Sequence, residues 1–184
     1  HWVNNLQGFL SSARSILKPD GVFMGAMLGG DTLHELRTSF VLAEQEREGG
    51  VSPHVSPLIS IRDAGNLLAG AGFAIPTIDS DFLTVYYPDA FTLMNHLQAM
   101  GENNCLLARR PNVSRETLYG AAAIYDSLFR TERGVPATFE IIYMIGWAPD
   151  PSQRKAARRG SAQIQLTDLA RDIGTTVQSI PSED

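Results

Sequence analysis

The sequence is short of several things, and each shortage excludes something. It has one cysteine, Cys105, in 184 residues. A lone cysteine closes no internal disulfide, so the chain does not read as a disulfide scaffold and suits a reducing compartment. No apolar run is long enough to span a bilayer. There is no basic excess either: the net charge is -5 and the sequence pI about 5.3. General nucleic-acid binding needs a basic face, which this balance does not supply. The chain contains no G-x-G-x-x-G, P-loop, zinc-ligand spacing or Ser-His-Asp order. It begins at His1 rather than Met, with no visible signal or transit peptide, and so reads as a cut or processed protein.

What is present suits a soluble α/β domain. The hydrophobic fraction is 43% and the charged fraction 19%, both ordinary for a globular protein. Leu6, Phe9, Leu10, Ala13, Ile16 and Leu17 recur at helical spacing and predict a helix from Asn5 to Leu17. After the turn "KPDG", the near-continuous apolar run Gly21–Leu28 reads as a buried central strand of a parallel sheet. Gly29-Gly30 end it, and Asp31 or Thr32 is placed to cap a helix carrying Leu33, Leu36, Phe40 and Ala43 on one face. The outer end of that helix, "EQEREGG", is charged and stops at two glycines. "VSPHVSPL" is a loop.

Further on, Ser60 caps a helix, with Asp63 three residues later as the partner of a capping box and Gly72 at its C-terminal end. "AIPTIDSDFLTVYY" reads as one strand or two short ones. A helix follows with Phe91, Met94, Leu97 and Met100 inward. Another is capped by Ser114, with Leu118, Ala121, Ala122, Tyr125 and Leu128 inward. "ATFEIIYMIGWAP" is a strand in which Phe139, Ile141, Tyr143, Ile145 and Trp147 share a face. The segments around Ile78–Tyr86 and Thr138–Trp147 are expected to pair as an antiparallel hairpin. Residues 1–149 are thus expected to form the domain, and 150–184 a polar tail that contains the basic cluster Arg154, Lys155, Arg158 and Arg159.

The order helix, "LKPDG", strand, helix, "LLAGAGF", strand, helix, strand resembles the second half of the class I S-adenosylmethionine-dependent methyltransferase fold. "HWVNNL", "ILKPDGVFMGAMLGGDTLHELR", "AEQEREGGVSPHVSP", "MGENNC", "VPATFEIIYMIGW" and "RGSAQI" narrow the resemblance. They are similar to one group, the methyltransferase-like assembly factor five of mitochondrial respiratory complex I, from His1 to about Ile164. The carrier-protein methyltransferase of biotin synthesis is a more distant likeness.

This resemblance implies a Rossmann-like α/β fold with the hairpin at the sheet edge, here its C-terminal part. It implies S-adenosylmethionine as cofactor of an intact protein that includes a glycine-rich loop absent from 1–184. It implies hydroxylation of an arginine on a core complex I subunit. Methylation of a small acid or carrier protein, and non-catalytic chaperoning, stay open beside it. The implied location is the mitochondrial matrix at the inner-membrane side, with the bacterial cytoplasm as alternative. Peripheral membrane association and a homodimer are the further partner readings. His1 and Trp2 fall where the family's cofactor-adjacent loop lies.

Two residues are singled out as substrate-facing. Asp31 follows a strand, and ligands in open α/β sheets bind at the carboxyl ends of strands. His54 sits between Pro53 and Pro57 in a loop, where functional side chains concentrate. His34 and His96, both in helices, read as surface or interface residues. His34 and Glu35 are sequence neighbours whose side chains should diverge on a helix, so no iron-type facial triad is legible. Arg109 and Arg110 form a second basic spot; for both spots solvent exposure is the plain reading and docking of an acidic partner or anionic lipid the sharper one. Tyr125, Tyr143, Met144 and Trp147 read as core, on a hairpin able to present an aromatic patch.

Overall fold

The computed structural model describes residues 1–56, 58–102 and 112–162. The chain divides into two compact units, His1–Asp150 and Pro151–Asp184. In the second, described residues 151–162 form no helix or strand, and Arg154, Lys155, Arg158 and Arg159 are all exposed. Arg109 and Arg110 lie outside the described residues.

The first unit runs α1 (Leu6–Ile16), β1 (Val22–Leu28), α2 (His34–Glu48), α3 (Ile61–Gly70), β2 (Ala74–Tyr87), α4 (Ala90–Ala99), α5 (Arg115–Phe129) and β3 (Val135–Trp147). The sheet order is β1-β3-β2, and both pairings are antiparallel. The expected hairpin is present: Ile78 lies opposite Met144 and Tyr86 opposite Pro136. β2 is one strand, broken only by an irregularity between Ala74 and Thr77.

β1 is not the buried parallel strand that its composition predicts. It pairs antiparallel with β3, at an edge of the sheet. Val22 is 46% and Met24 70% exposed. Composition reports how much burial a strand tolerates; among the described residues nothing covers that edge or the Val22–Met24 face.

The core is two clusters, and strand alternation explains why. At one end of β3, Val135 and Ala137 point into a cluster with α2, α4 and α5, joined by Leu36, Phe40, Leu93 and Tyr125. Further along, the opposite face is buried instead: Ile142 and Met144 join Leu10, Leu68 and Phe73 against α1 and α3. Each large side chain so buried contributes about 1.5–3 kcal/mol. On the other face, the run Ile141, Tyr143, Ile145 and Trp147 is incompletely covered, and Tyr143 is 43% exposed rather than core.

Local signals set several boundaries as expected. Ser60 and Asp63 form a reciprocal capping box on α3. Ser114 caps α5, and Asp89, not singled out from the sequence, caps α4. The cap of α2 differs from expectation. Leu33, in the left-handed region at φ 54°, occupies the cap position without a side-chain bond. Thr32 is instead committed to β3: its Oγ1 donates to the Glu140 carbonyl at 3.2 Å and accepts from the Glu140 N–H at 3.1 Å.

Several inward faces also differ. On α1, Leu10 alone is buried, while Phe9 and Ile16 are exposed. On α4 the core face is Ala90, Leu93 and Leu97, with Phe91 and Met100 exposed. On α5, Leu128 is exposed and Thr117 and Gly120 are buried.

Candidate functional site

Two hydrogen-bonded ties hold α2 where it can form a wall. Glu35 is buried, and its Oε1 accepts from the Thr138 hydroxyl at 2.5 Å. The Leu33 N–H donates to the Thr138 carbonyl at 2.7 Å. With α2 so fixed on β3, a cavity of about 440 Å³ opens between α2, the Pro53–Ser56 loop and α4. Its α2 side is Leu33, Leu36 and Phe40, and Phe139 of β3 also lines it. Its α4 side combines Phe91 and Met94 with Asn95 and Gln98, and then Glu102 just past the helix. A second cavity, of about 510 Å³, lies across the loop and shares Phe40, Pro53, His54, Val55 and Leu58 with the first.

His54 is the side chain that both cavities share with a buried charge. Its ring stacks on Phe40 with centroids 4.4 Å apart. Its Nε2 lies 2.7 Å from Oε1 of Glu44, which is almost wholly buried. Ser52 closes the cluster, donating from Oγ to Glu44 Oε1 and from its N–H to Oε2, both at 2.5 Å. Burial opposes ionisation of Glu44. The Ser52 and His54 hydrogen bonds outweigh it, so the carboxyl sits below its ordinary pKa. An ionised carboxylate only accepts, so His54 Nε2 carries a proton and donates it to Glu44 Oε1.

This cluster is no hydrolase triad. Ser52 Oγ and Glu44 Oε1 both meet the same nitrogen, Nε2, whereas a relay needs hydroxyl and carboxylate on opposite nitrogens. What the arrangement can do is hold the loop and fix the orientation of an imidazole that lines both cavities.

The other sequence-predicted residues fall as follows. His1 Nε2 lies 2.9 Å from Glu102 Oε1, so His1 stands beside the first cavity. Trp2 packs against the His1 ring and is 65% exposed. Asp31 is exposed and lines neither cavity, while its neighbour Thr32 lines the first. The Asp31 N–H donates to Glu140 Oε2 at 2.9 Å. His34 and Glu35 do not diverge: Nδ1 and Oε2 are 3.5 Å apart, because His34 opens the helix and its ring folds back over the first turn. Among the described residues no group of three or more His, Cys, Asp or Glu side chains is placed to hold a metal. Sequence reading missed Glu44, Ser52, Asn95, Gln98 and Glu102. The spacing 91, 94, 95, 98 and 102 was the available signal, a second stripe beside the core face of α4.

S-adenosylmethionine, which the resemblance implies, needs a glycine turn that admits the cofactor close to backbone and an acidic group for its ribose. Gly29-Gly30 do not provide that turn. The space a Gly29 side chain would take is filled by the Glu140 carboxyl. Gly30 faces the backbone carbonyls of Leu58 and Ile59. These glycines serve close packing of β1 on its neighbours, and the described residues do not by themselves fit the cofactor.

Comparison with known proteins places these features in context. No protein-family model matches the chain. The arginine-hydroxylase NDUFAF5, mitochondrial, of Danio rerio is 52% identical over 172 residues, covering 93% of this chain and 54% of that protein. A malonyl-[acyl-carrier protein] O-methyltransferase of Xylella fastidiosa is 34% identical over 149 residues, covering 80% of this chain and 48% of that protein. Among solved structures, a putative methyltransferase from Bacillus halodurans is 17% identical with a TM-score of 0.47, covering 82% of this chain and 61% of that one. The chain spans about half the length of the curated relatives it matches. Through nearly all of its own length, then, this chain is similar to about half of an arginine-hydroxylase NDUFAF5 protein.

Proposed function

We propose that the protein to which these residues belong is a methyltransferase-fold arginine hydroxylase that assists assembly of respiratory complex I. One observation carries the reading: the 52% identity to a protein named as an arginine hydroxylase extends over 93% of this chain. The identity falls to 34% against a carrier-protein methyltransferase, which ranks methyl transfer second.

The site supports a protein side chain as substrate. The α4 wall of the first cavity runs from Phe91 and Met94 to Gln98 and Glu102, a pattern that can grip an alkyl stem and orient its head. A core subunit of complex I supplies the arginine in this reading, and the mitochondrial matrix beside the inner membrane is where it meets the enzyme. Peripheral association with the inner membrane is part of the same reading; among the described residues no helix is long and apolar enough to cross a membrane. The full-length protein binds S-adenosylmethionine in this reading, and this chain by itself does not.

Mass spectrometry of complex I subunits from cells with and without the protein tests the proposal. A gain of one oxygen on an arginine, dependent on the protein, is the expected result. A gain of a methyl group would favour the methyltransferase reading. No change on any subunit would favour a chaperone without catalysis.

A further inference from the structure

Helix α4 carries two stripes. Leu93 and Leu97 face the core. Phe91, Met94, Asn95 and Gln98, at helical spacings of three and four, line the first cavity, and Glu102 extends that stripe beyond Gly101. The stripe is apolar at its start and polar at its end, where the single carboxylate stands. Glu102 has a side chain only 16% exposed. Its Oε1 is held by His1, and among the described residues no hydrogen bond reaches its Oε2. Among the described residues the His1 ring is the one hydrogen-bond partner of this carboxylate. The C-terminal end of α4 lies at Met100, and a helix C-terminus adds negative potential within its last turn. A cation is therefore favoured at this end of the cavity. Asn95, Gln98 and Asn112 line the same cavity; side-chain amides can accept through their oxygens, and several acceptors suit a planar group with five N–H donors better than a point charge.

We infer that Glu102 is the anchor for the guanidinium of a substrate arginine, whose alkyl stem lies against Phe91 and Met94. The inference rests on the arginine-hydroxylase reading for its substrate class and adds the residues that select it. The full-length protein is titrated by NMR with acetylated, amidated Ala-Ala-Arg-Ala-Ala and with the same peptide carrying citrulline or lysine in the centre. Citrulline keeps the shape of arginine and removes the charge. Wild type should bind the arginine peptide most tightly. Glu102→Gln should weaken it about tenfold or more, the usual scale for a hydrogen bond to a charged group, and leave the citrulline peptide unchanged. Glu102→Asp should retain the arginine preference. Equal binding of arginine and citrulline by wild type overturns the assignment, as does an unchanged preference in Glu102→Gln. If wild type lacks the preference yet still adds oxygen to its arginine target, the site fails and the function stands. Arginine-selective binding without any gain of oxygen upholds the site and overturns the function.

Discussion

A carboxylate is costly to bury unless its oxygens are bonded. Glu44 meets that condition through Ser52 on both oxygens and His54 on one. Because its pKa is lowered in the folded protein, the sign of its pH dependence is fixed. The stability it contributes is present at neutral pH, above the unfolded carboxyl pKa, and is lost as pH falls through the folded value. Glu44→Gln should cost about 1–3 kcal/mol in urea unfolding at neutral pH. It should also flatten the acid limb of the stability profile. An unchanged acid limb would show that the Ser52–His54 bonds do not govern its ionisation. None of this is legible in the sequence. "EQERE" reads as a solvated helix end, and only the return of Ser52 and His54 from the following loop makes one of its glutamates interior.

At the scale of elements, β1 is an edge strand with exposed apolar side chains. Val22, Met24 and Ala26 lie opposite Trp147, Ile145 and Tyr143 on the incompletely covered face of the sheet. Exposed apolar strand edges and faces invite pairing with other chains. Met24→Lys should lower the self-association of residues 1–184, measured by sedimentation, and barely move the melting temperature, because Met24 is already 70% exposed. A large fall in melting temperature would mean that Met24 is buried in the species in solution. The apolar run of β1 shows that a strand lies there, and the Ser60–Asp63 pair marks the start of α3, because both signals are local. The faces of α4 are less legible. Phe91 and Met94 line a cavity while Leu93 and Leu97 fill the core, so apolar residues occupy two stripes, and periodicity alone cannot assign them. His54 is legible as a loop histidine between prolines, but not its carboxylate partner ten residues earlier.

For the whole molecule, the question is which part of a cofactor site these residues hold. Affinity for a nucleotide-like cofactor is concentrated in a few polar contacts and in backbone that approaches it closely. Gly29-Gly30 are the glycine pair that follows a strand here; the Glu140 carboxyl fills the space a Gly29 side chain would take, and the Leu58 and Ile59 carbonyls stand 3.3 and 3.5 Å from where a Gly30 Cβ would lie. His1 is engaged with Glu102, and Trp2 is largely exposed, so neither offers a formed pocket wall. What remains is a cavity lined by apolar and polar side chains together. Titration calorimetry of residues 1–184 with S-adenosylmethionine should accordingly give no heat of binding in the micromolar range, while the full-length protein should bind. The control is the arginine pentapeptide, which this chain should still bind if its cavity is folded. Micromolar binding of the cofactor by a monomer of 1–184 would mean that Trp2, His1 and the end of β1 rearrange into a cradle. It would also move the centre of the chemistry onto these residues.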